Sequence, residues 1–433
     1  MVISDGNKFN KTKHRLNYFI IIVILAFCDS PFFVFGKKNL GIIVILFLFL
    51  FAIIRRKKLI TTQVSLVILS VWLLLLIQWQ IFGGLNLQSM AIPIWNIYMP
   101  YLVYTILGLS FFNYLLNTVY FVSIYTSVIW LLQSTIPGVN SFIARLMEIV
   151  YPYSWADWPR TIFVYSMPRK SGYFLLRNSG AFHEPGAFSI YLILAIIINT
   201  IYTKNGFDKK NVIMFLIILT TFSTTGYILM FILIAFFIVK KRINILLKLL
   251  IILVAISISV FSYRSAMFLE EKIESQYITQ TEAVEEGDIG RGRFFSFLIS
   301  WKIFKENIVF GKGISNVNPI LEGKQIATIS YGFMGILARY GILWMVFYMF
   351  VFYKGIQKLH TLYSVPKYYG IVFYIVLHLS LSTQAFFYDI PFVFFFIIGL
   401  NLSELRIKYY KSIFFSDNKQ VTQINPRIQK FKL

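Results

Sequence analysis

Polar residues interrupt this chain mainly at the ends of long apolar runs. Tyr18–Phe35, Ile60–Phe82 and Ile371–Phe387 carry little charge, and a bilayer crossing takes about 20 apolar residues per helix. The strands of a membrane barrel would alternate apolar with polar positions, so continuous runs predict helices. The pattern predicts spans at 16–35, 40–54, 60–82, 91–112, 114–136, 186–203, 211–223, 226–239, 243–262, 328–353, 368–387 and 390–405. That is about 12 transmembrane helices, with both termini on one side. The pair 211–223 and 226–239 flanks "STTG" and is short for two full crossings. Read as two spans in that count, it fits equally a hairpin that turns shallowly at the outer face, where protein or water satisfies the backbone.

Composition agrees: 58% of residues are hydrophobic, 14% are charged and the mean hydropathy is +0.71. The expected class is an all-α polytopic integral membrane protein. A net charge of +23 invites a nucleic-acid reading, but its distribution removes it. Lys8, Lys11, Lys13, Arg15, the "RRKK" at 55–58, Lys204, Lys209, Lys210, the "KKR" at 240–242, Lys354, Lys358, Lys367 and the basic tail all fall on one side. The other side carries nearly balanced charge. This is the positive-inside pattern, which puts both termini in the cytoplasm and the long loops outside. The single cysteine, Cys28, lies in the first span and can form no intramolecular disulfide. No small-residue cleavage site follows that span, so it is expected to be retained.

The expected organisation is an N-terminal bundle of about five helices over 1–136, a first long outer loop over 137–185, and central spans over 186–262. A second long outer loop over 263–327, C-terminal spans over 328–405 and a basic cytoplasmic tail over 406–433 complete it. Loops this long are usually functional or disordered. In the second, an acidic stretch from Glu270 to Asp288 gives way to "GRGRFFSFLISWKIFKEN". Phe294, Phe297, Leu298, Trp301, Phe304 and Ile308 fall at helical spacing there, predicting an amphipathic helix lying at the outer membrane interface.

The sequence offers no nucleotide cradle, zinc cluster or nucleophile elbow. Its four histidines are scattered, with His378 alone inside a span, so no metal and no cofactor is expected. Arginines and aromatics instead gather in the outer loops: Arg169 and Arg177 with Trp155 and Trp158, then Arg291 and Arg293. A guanidinium offers diphosphate a planar fork that keeps its charge, and aromatic faces suit sugar rings. A lipid-diphosphate-linked glycan presents both needs beside a membrane. The stretch "RNSGAFHEPGAFS" at 177–189 concentrates the chemistry. Pro185 suits a first helical position and puts Glu184 at or near an N-cap, where the helix dipole favours a carboxylate. Arg177 reads as a diphosphate ligand or as a residue snorkelling to headgroups, and His183 as a base or a structural hydrogen-bonder.

Four segments in order carry a family pattern: "RNSGAFHEPGAFSIYL", "LTTFSTTGYI" at 219–228, "GRGRFFSFLISWKIFKENIVFGKGI" at 290–314 and "SYGFMGILARYGIL" at 330–343. Together they resemble the Wzy polysaccharide polymerases, which share a superfamily with the O-antigen ligases. The first 136 residues match only in being apolar spans. The resemblance implies a GT-C-like fold in the bacterial plasma membrane, and a metal-independent, inverting transfer of a growing glycan from undecaprenyl diphosphate to another lipid-linked repeat unit. It implies that Arg177 holds the diphosphate, with Arg291 or Arg293 in the region of a second arginine. Glu184 is the first candidate for the base and His183 the second. Trp155, Trp158 and Tyr331 are the candidates for glycan contact. Undecaprenyl-diphosphate-linked oligosaccharides and membrane lipids are the implied partners, with a chain-length regulator and a flippase as further ones. The ligase branch has a histidine where this chain has Ser330 and Tyr331, which lowers the ligase reading. A transporter or flippase is the rival from another class; such proteins place polar sites near the midplane on broken helices.

Overall fold

A computed structural model describes residues 5–29, 40–84, 87–136, 138–150, 161–162, 165–166, 176–240, 293–317, 332–383 and 386–400. Among them run thirteen α-helices: α1 (Asp5–Asp29), α2 (Leu40–Ile54), α3 (Thr62–Phe82), α4 (Leu87–Leu107), α5 (Ser110–Thr135), α6 (Val139–Val150), α7 (Pro185–Thr203), α8 (Lys209–Thr220), α9 (Thr224–Lys240), α10 (Arg293–Glu306), α11 (Phe333–Leu362), α12 (Lys367–Thr383) and α13 (Ile390–Gly399). A two-residue antiparallel ladder joins Thr161–Ile162 to Tyr165–Ser166. The protein is an all-α membrane protein in its described parts, and α3, α5, α7 and α11 are each long and apolar enough to cross a bilayer. The expected span at 243–262, the acidic stretch and the basic tail lie outside the described residues.

α7 is the centre. Every residue from Gly186 to Ile201 is buried, as expected of a helix that is apolar on all sides. α5, α8, α9 and α12 surround it. A second cluster packs α11 against α12 and α13, and α13 against α4. Small residues set the spacing at one crossing: a Cβ on Gly355 would strike the Phe395 carbonyl, and one on Gly399 the Val351 carbonyl. Close backbone approach of this kind is how membrane helices gain packing energy without a hydrophobic drive between them. Aromatic stacking adds to it, with Phe111 on Phe394 at 4.1 Å and Tyr348 on Phe396 at 4.9 Å.

α11 is broken. Gly341 has φ 73° and ψ −179° inside it, a conformation essentially reserved for glycine. The segment after α10 fills the break. Lys312 N donates to the Ala338 carbonyl at 2.8 Å, Gly313 N to the Arg339 carbonyl at 3.1 Å, and Ile342 N to the Ile308 carbonyl at 2.8 Å. Backbone groups freed within a membrane must be re-satisfied by protein, and here the 308–313 segment does it.

A helix forms over Arg293–Glu306, within the segment where the amphipathic helix is expected. Phe295, Ser296, Ile299, Ser300 and Ile303 are buried, and the helix packs on α11. Of the expected apolar face, Phe297, Trp301 and Ile308 are exposed while Phe304 is buried. Most of the described periodic face is thus left free of the protein, as a face meant for the membrane interface would be, and Phe304 alone of these four turns inward. The buried side mixes the large Phe295, Ile299 and Ile303 with the small Ser296 and Ser300.

Candidate functional site

The 176–184 loop and the turn between α8 and α9 form one knot at the mouth of α7. Phe222 adopts φ 47°, which reverses the chain between the two helices. Arg177 donates from Nε to the Thr221 carbonyl at 3.3 Å and from Nη2 to the Phe222 carbonyl at 2.9 Å. The guanidinium thus satisfies carbonyls at the end of α8 that have no intrahelical partner. A guanidinium has five N–H donors, so these two bonds leave capacity for an anion. Burial lowers the Arg177 pKa from its usual value, and the nearby Tyr227 hydroxyl opposes that shift. The side chain is half-buried and held by backbone, unlike one that snorkels freely to lipid headgroups.

Asn178 completes the knot and is almost wholly buried. Its backbone N donates to the Thr220 carbonyl at 3.0 Å, and its side-chain amide donates to Thr220 Oγ1 at 2.9 Å and Ser127 Oγ at 3.0 Å. Its Oδ1 accepts from Gly180 N at 3.0 Å, which shapes the turn at 180–181. On the other side, Ser189 on α7 is 3.3 Å from the Ser223 hydroxyl, and Ser223 Oγ caps α9 through Gly226 N. The first two of the four sequence segments are therefore joined by direct bonds. The third and fourth are joined to each other, by the 308–313 segment lying in the break of α11.

Glu184 is the N-cap residue of α7, with Pro185 following, as the sequence predicts. Its carboxylate makes no cap bond, so it does not close the helix. It lies 3.8 Å from His183 Nε2, and both side chains are partly exposed. An imidazole and a carboxylate side by side and partly exposed at a helix mouth can accept and pass a proton. The loop is anchored from behind by Trp130 Nε1 on α5, which donates to the Leu176 carbonyl at 2.7 Å, and by Ser166 N, which donates to the Gly180 carbonyl at 2.8 Å. Beneath Ser166, Tyr165 donates its hydroxyl to Gln133 Oε1. Burial raises the Tyr165 pKa and keeps that hydroxyl neutral.

Arg293 is the first residue of α10, its side chain not among those described. Arg169, Arg291, Trp155, Trp158 and Tyr331 lie outside the described residues. Three residues have parts that sequence reasoning missed. Asn178 is one, and an Asn before Ser-Gly was a turn signal available to be read. Arg339 is the second, a buried arginine within α11 beside the break. Asp389 at the start of α13 is the third: its Oδ2 accepts from Tyr191 OH at 2.8 Å. Among the described residues no group of histidine, cysteine and carboxylates has the makings of a metal site.

Residues 211–349 match the family model described as O-antigen ligase. The matched region runs from α8 through the turn that Arg177 caps, and on to the broken part of α11. It is consistent with a member of the superfamily of Wzy polymerases and O-antigen ligases. No curated protein and no solved structure matches the chain. The family implies an enzyme of the glycosyltransferase kind that works on lipid-linked oligosaccharide in a membrane.

Proposed function

We propose that this protein is a polysaccharide polymerase of the bacterial plasma membrane. It transfers a growing glycan from undecaprenyl diphosphate to a hydroxyl of a second lipid-linked repeat unit at the outer face, with both termini cytoplasmic. Arg177 at the mouth of α7, held by the 221–222 carbonyls with donors to spare, is the observation that carries the reading. A fixed guanidinium stabilises the charge that grows on a departing diphosphate, and preorganisation of this kind is usually a large part of catalysis. The His183–Glu184 pair accepts the proton of the attacking hydroxyl. The C1–O bond to the diphosphate breaks as the new glycosidic bond forms on the opposite face, which inverts the anomeric centre.

A flippase is favoured by one observation, the broken α11 with Arg339 buried beside it. The broken backbone weighs against it, because its carbonyls are taken by Lys312, Gly313 and Gln78 and do not line a path. A ligase shares the transfer chemistry and is favoured by the family description; Ser330 and Tyr331 in place of the ligase histidine favour the polymerase.

The test uses purified protein with a synthetic undecaprenyl-diphosphate repeat unit, products being resolved on a gel. A ladder that disappears with Arg177→Ala, in a variant that still folds, is the expected result. Movement of the glycan across liposomes without a ladder would replace the polymerase with the flippase. Transfer to a lipid A core without self-extension would replace it with the ligase.

A further inference from the structure

Tyr191 lies two turns inside α7 and is fully buried. A tyrosine hydroxyl at such a place is costly without a partner, and its partner is the Asp389 carboxylate on another helix, at 2.8 Å. Asp389 is the N-cap residue of α13, and its carbonyl accepts from Phe392 N and Val393 N. An aspartate there ordinarily turns its side chain onto the amides of its own first turn. Asp389 makes no such bond and reaches α7 instead. The Tyr191 ring is fixed by aromatic neighbours: it stacks on Phe182 at 4.5 Å and meets Phe386 and Phe392 edge-on. Phe182 in turn stacks on Phe188 and immediately precedes His183 and Glu184.

We propose that Asp389 is a positioning residue for the transfer reaction, acting through Tyr191 and Phe182 to hold the loop that carries His183 and Glu184. This rests on the glycosyl-transfer reading above. α13 packs on α4 and α11, so the Asp389 bond makes the helix cluster on that side a support of the α7 mouth. Arg177 is fixed separately, by the α8–α9 turn. Loss of the Asp389 bond therefore acts on turnover and leaves donor binding in place.

The experiment measures kcat and KM for the lipid-diphosphate repeat unit with the full chain in nanodiscs. Its variants are Tyr191→Phe, Asp389→Ala, Asp389→Asn and the Tyr191→Phe/Asp389→Ala double variant. A hydrogen bond to a charged group corresponds to about tenfold to a hundredfold, and kcat is expected to fall by that amount in Tyr191→Phe and in Asp389→Ala. KM stays near wild type, the double variant is no worse than Asp389→Ala, and Asp389→Asn recovers most activity because its amide oxygen still accepts. A spin label at Ala181→Cys, in a Cys28→Ser background, reads the loop without any turnover. It is expected to gain mobility in Tyr191→Phe and Asp389→Ala but not in Asp389→Asn. Unchanged label mobility overturns the proposal, as does an Asp389→Asn variant as inactive as Asp389→Ala beside an unaffected Tyr191→Phe. If the wild type transfers no glycan, the functional reading fails, and the label alone still decides the positioning.

Discussion

Gln78 on α3 donates its side-chain amide to the carbonyl of Arg339 on α11 at 2.6 Å, 261 residues away in sequence. The same nitrogen lies 2.5 Å from the Phe310 carbonyl. One amide therefore joins an N-terminal span, the segment after α10 and the break in α11. A membrane interior offers no water to replace such a bond, so the break is a supported feature of the fold.

Replacing either the amide or the glycine of the break should destabilise the protein. Gly341→Ala places a Cβ against the Val309 carbonyl at a φ of 73°. The backbone strain alone costs of order 1–3 kcal/mol. Gln78→Leu leaves buried carbonyls under-satisfied and costs about 1–3 kcal/mol. Thermal unfolding in detergent should show both variants melting below wild type, whereas Leu73→Ala, on the exposed face of α3, should not. A Gly341→Ala protein as stable as wild type would mean that the break is not there.

Arg177 caps the α8–α9 turn and, on the proposed function, also holds diphosphate; lysine can do only part of each. Arg177→Lys keeps a charge but loses the fork that bridges the Thr221 and Phe222 carbonyls. Transfer should fall about tenfold to a hundredfold, in line with one charge-assisted bond, and Arg177→Ala should fall further. Both should lower the melting temperature slightly, because the α8–α9 turn loses its cap. The decisive comparison is inorganic diphosphate protection: it should stabilise wild type against heat and leave Arg177→Ala unmoved.

The helix start at the mouth of α7 was legible in the sequence, and the reason is local. Pro185 and Glu184 announce a helix start within a few residues, and the start is where they put it. The direction of the Glu184 carboxylate was not legible, because an N-cap position fixes backbone angles and not which neighbour a long side chain meets. The break in α11 was hidden for the opposite reason. Glycines are common in membrane helices, and what makes Gly341 a break is the 308–313 segment, a contact no local pattern encodes. Nothing near Asp389 in the chain marks it, because its partner, Tyr191, is 198 residues away.

Tyr165 yields a pH prediction. Burial raises its pKa above the ordinary tyrosine value of 10.0. Between 10.0 and the raised value the folded protein keeps a proton that the unfolded chain releases, so stability falls as pH rises there. Below pH 10 the contribution is complete. Tyr165→Phe should lose the bond to Gln133 and melt lower at pH 7, and its stability should decline less steeply than that of wild type above pH 10. Parallel declines would show that the Tyr165 hydroxyl is not buried.

On the proposed function His183 and Glu184 share the proton work, and substitution can separate them. Their side chains are 3.8 Å apart, and both reach solvent. General-base catalysis contributes about 10²–10⁴-fold, so whichever residue takes the proton should lose that much kcat when neutralised. Glu184→Gln preserves shape and removes the charge, and we expect it to lose kcat on that scale with little change in KM. His183→Gln removes only a neighbour of the carboxylate and should lose less. If the order reverses, with His183→Gln the severe variant, the imidazole is the base and Glu184 orients it. If neither loses more than a few-fold, the proton leaves by another group, and the next to substitute is His378, whose ring lies 5.0 Å from Phe333 at the start of α11.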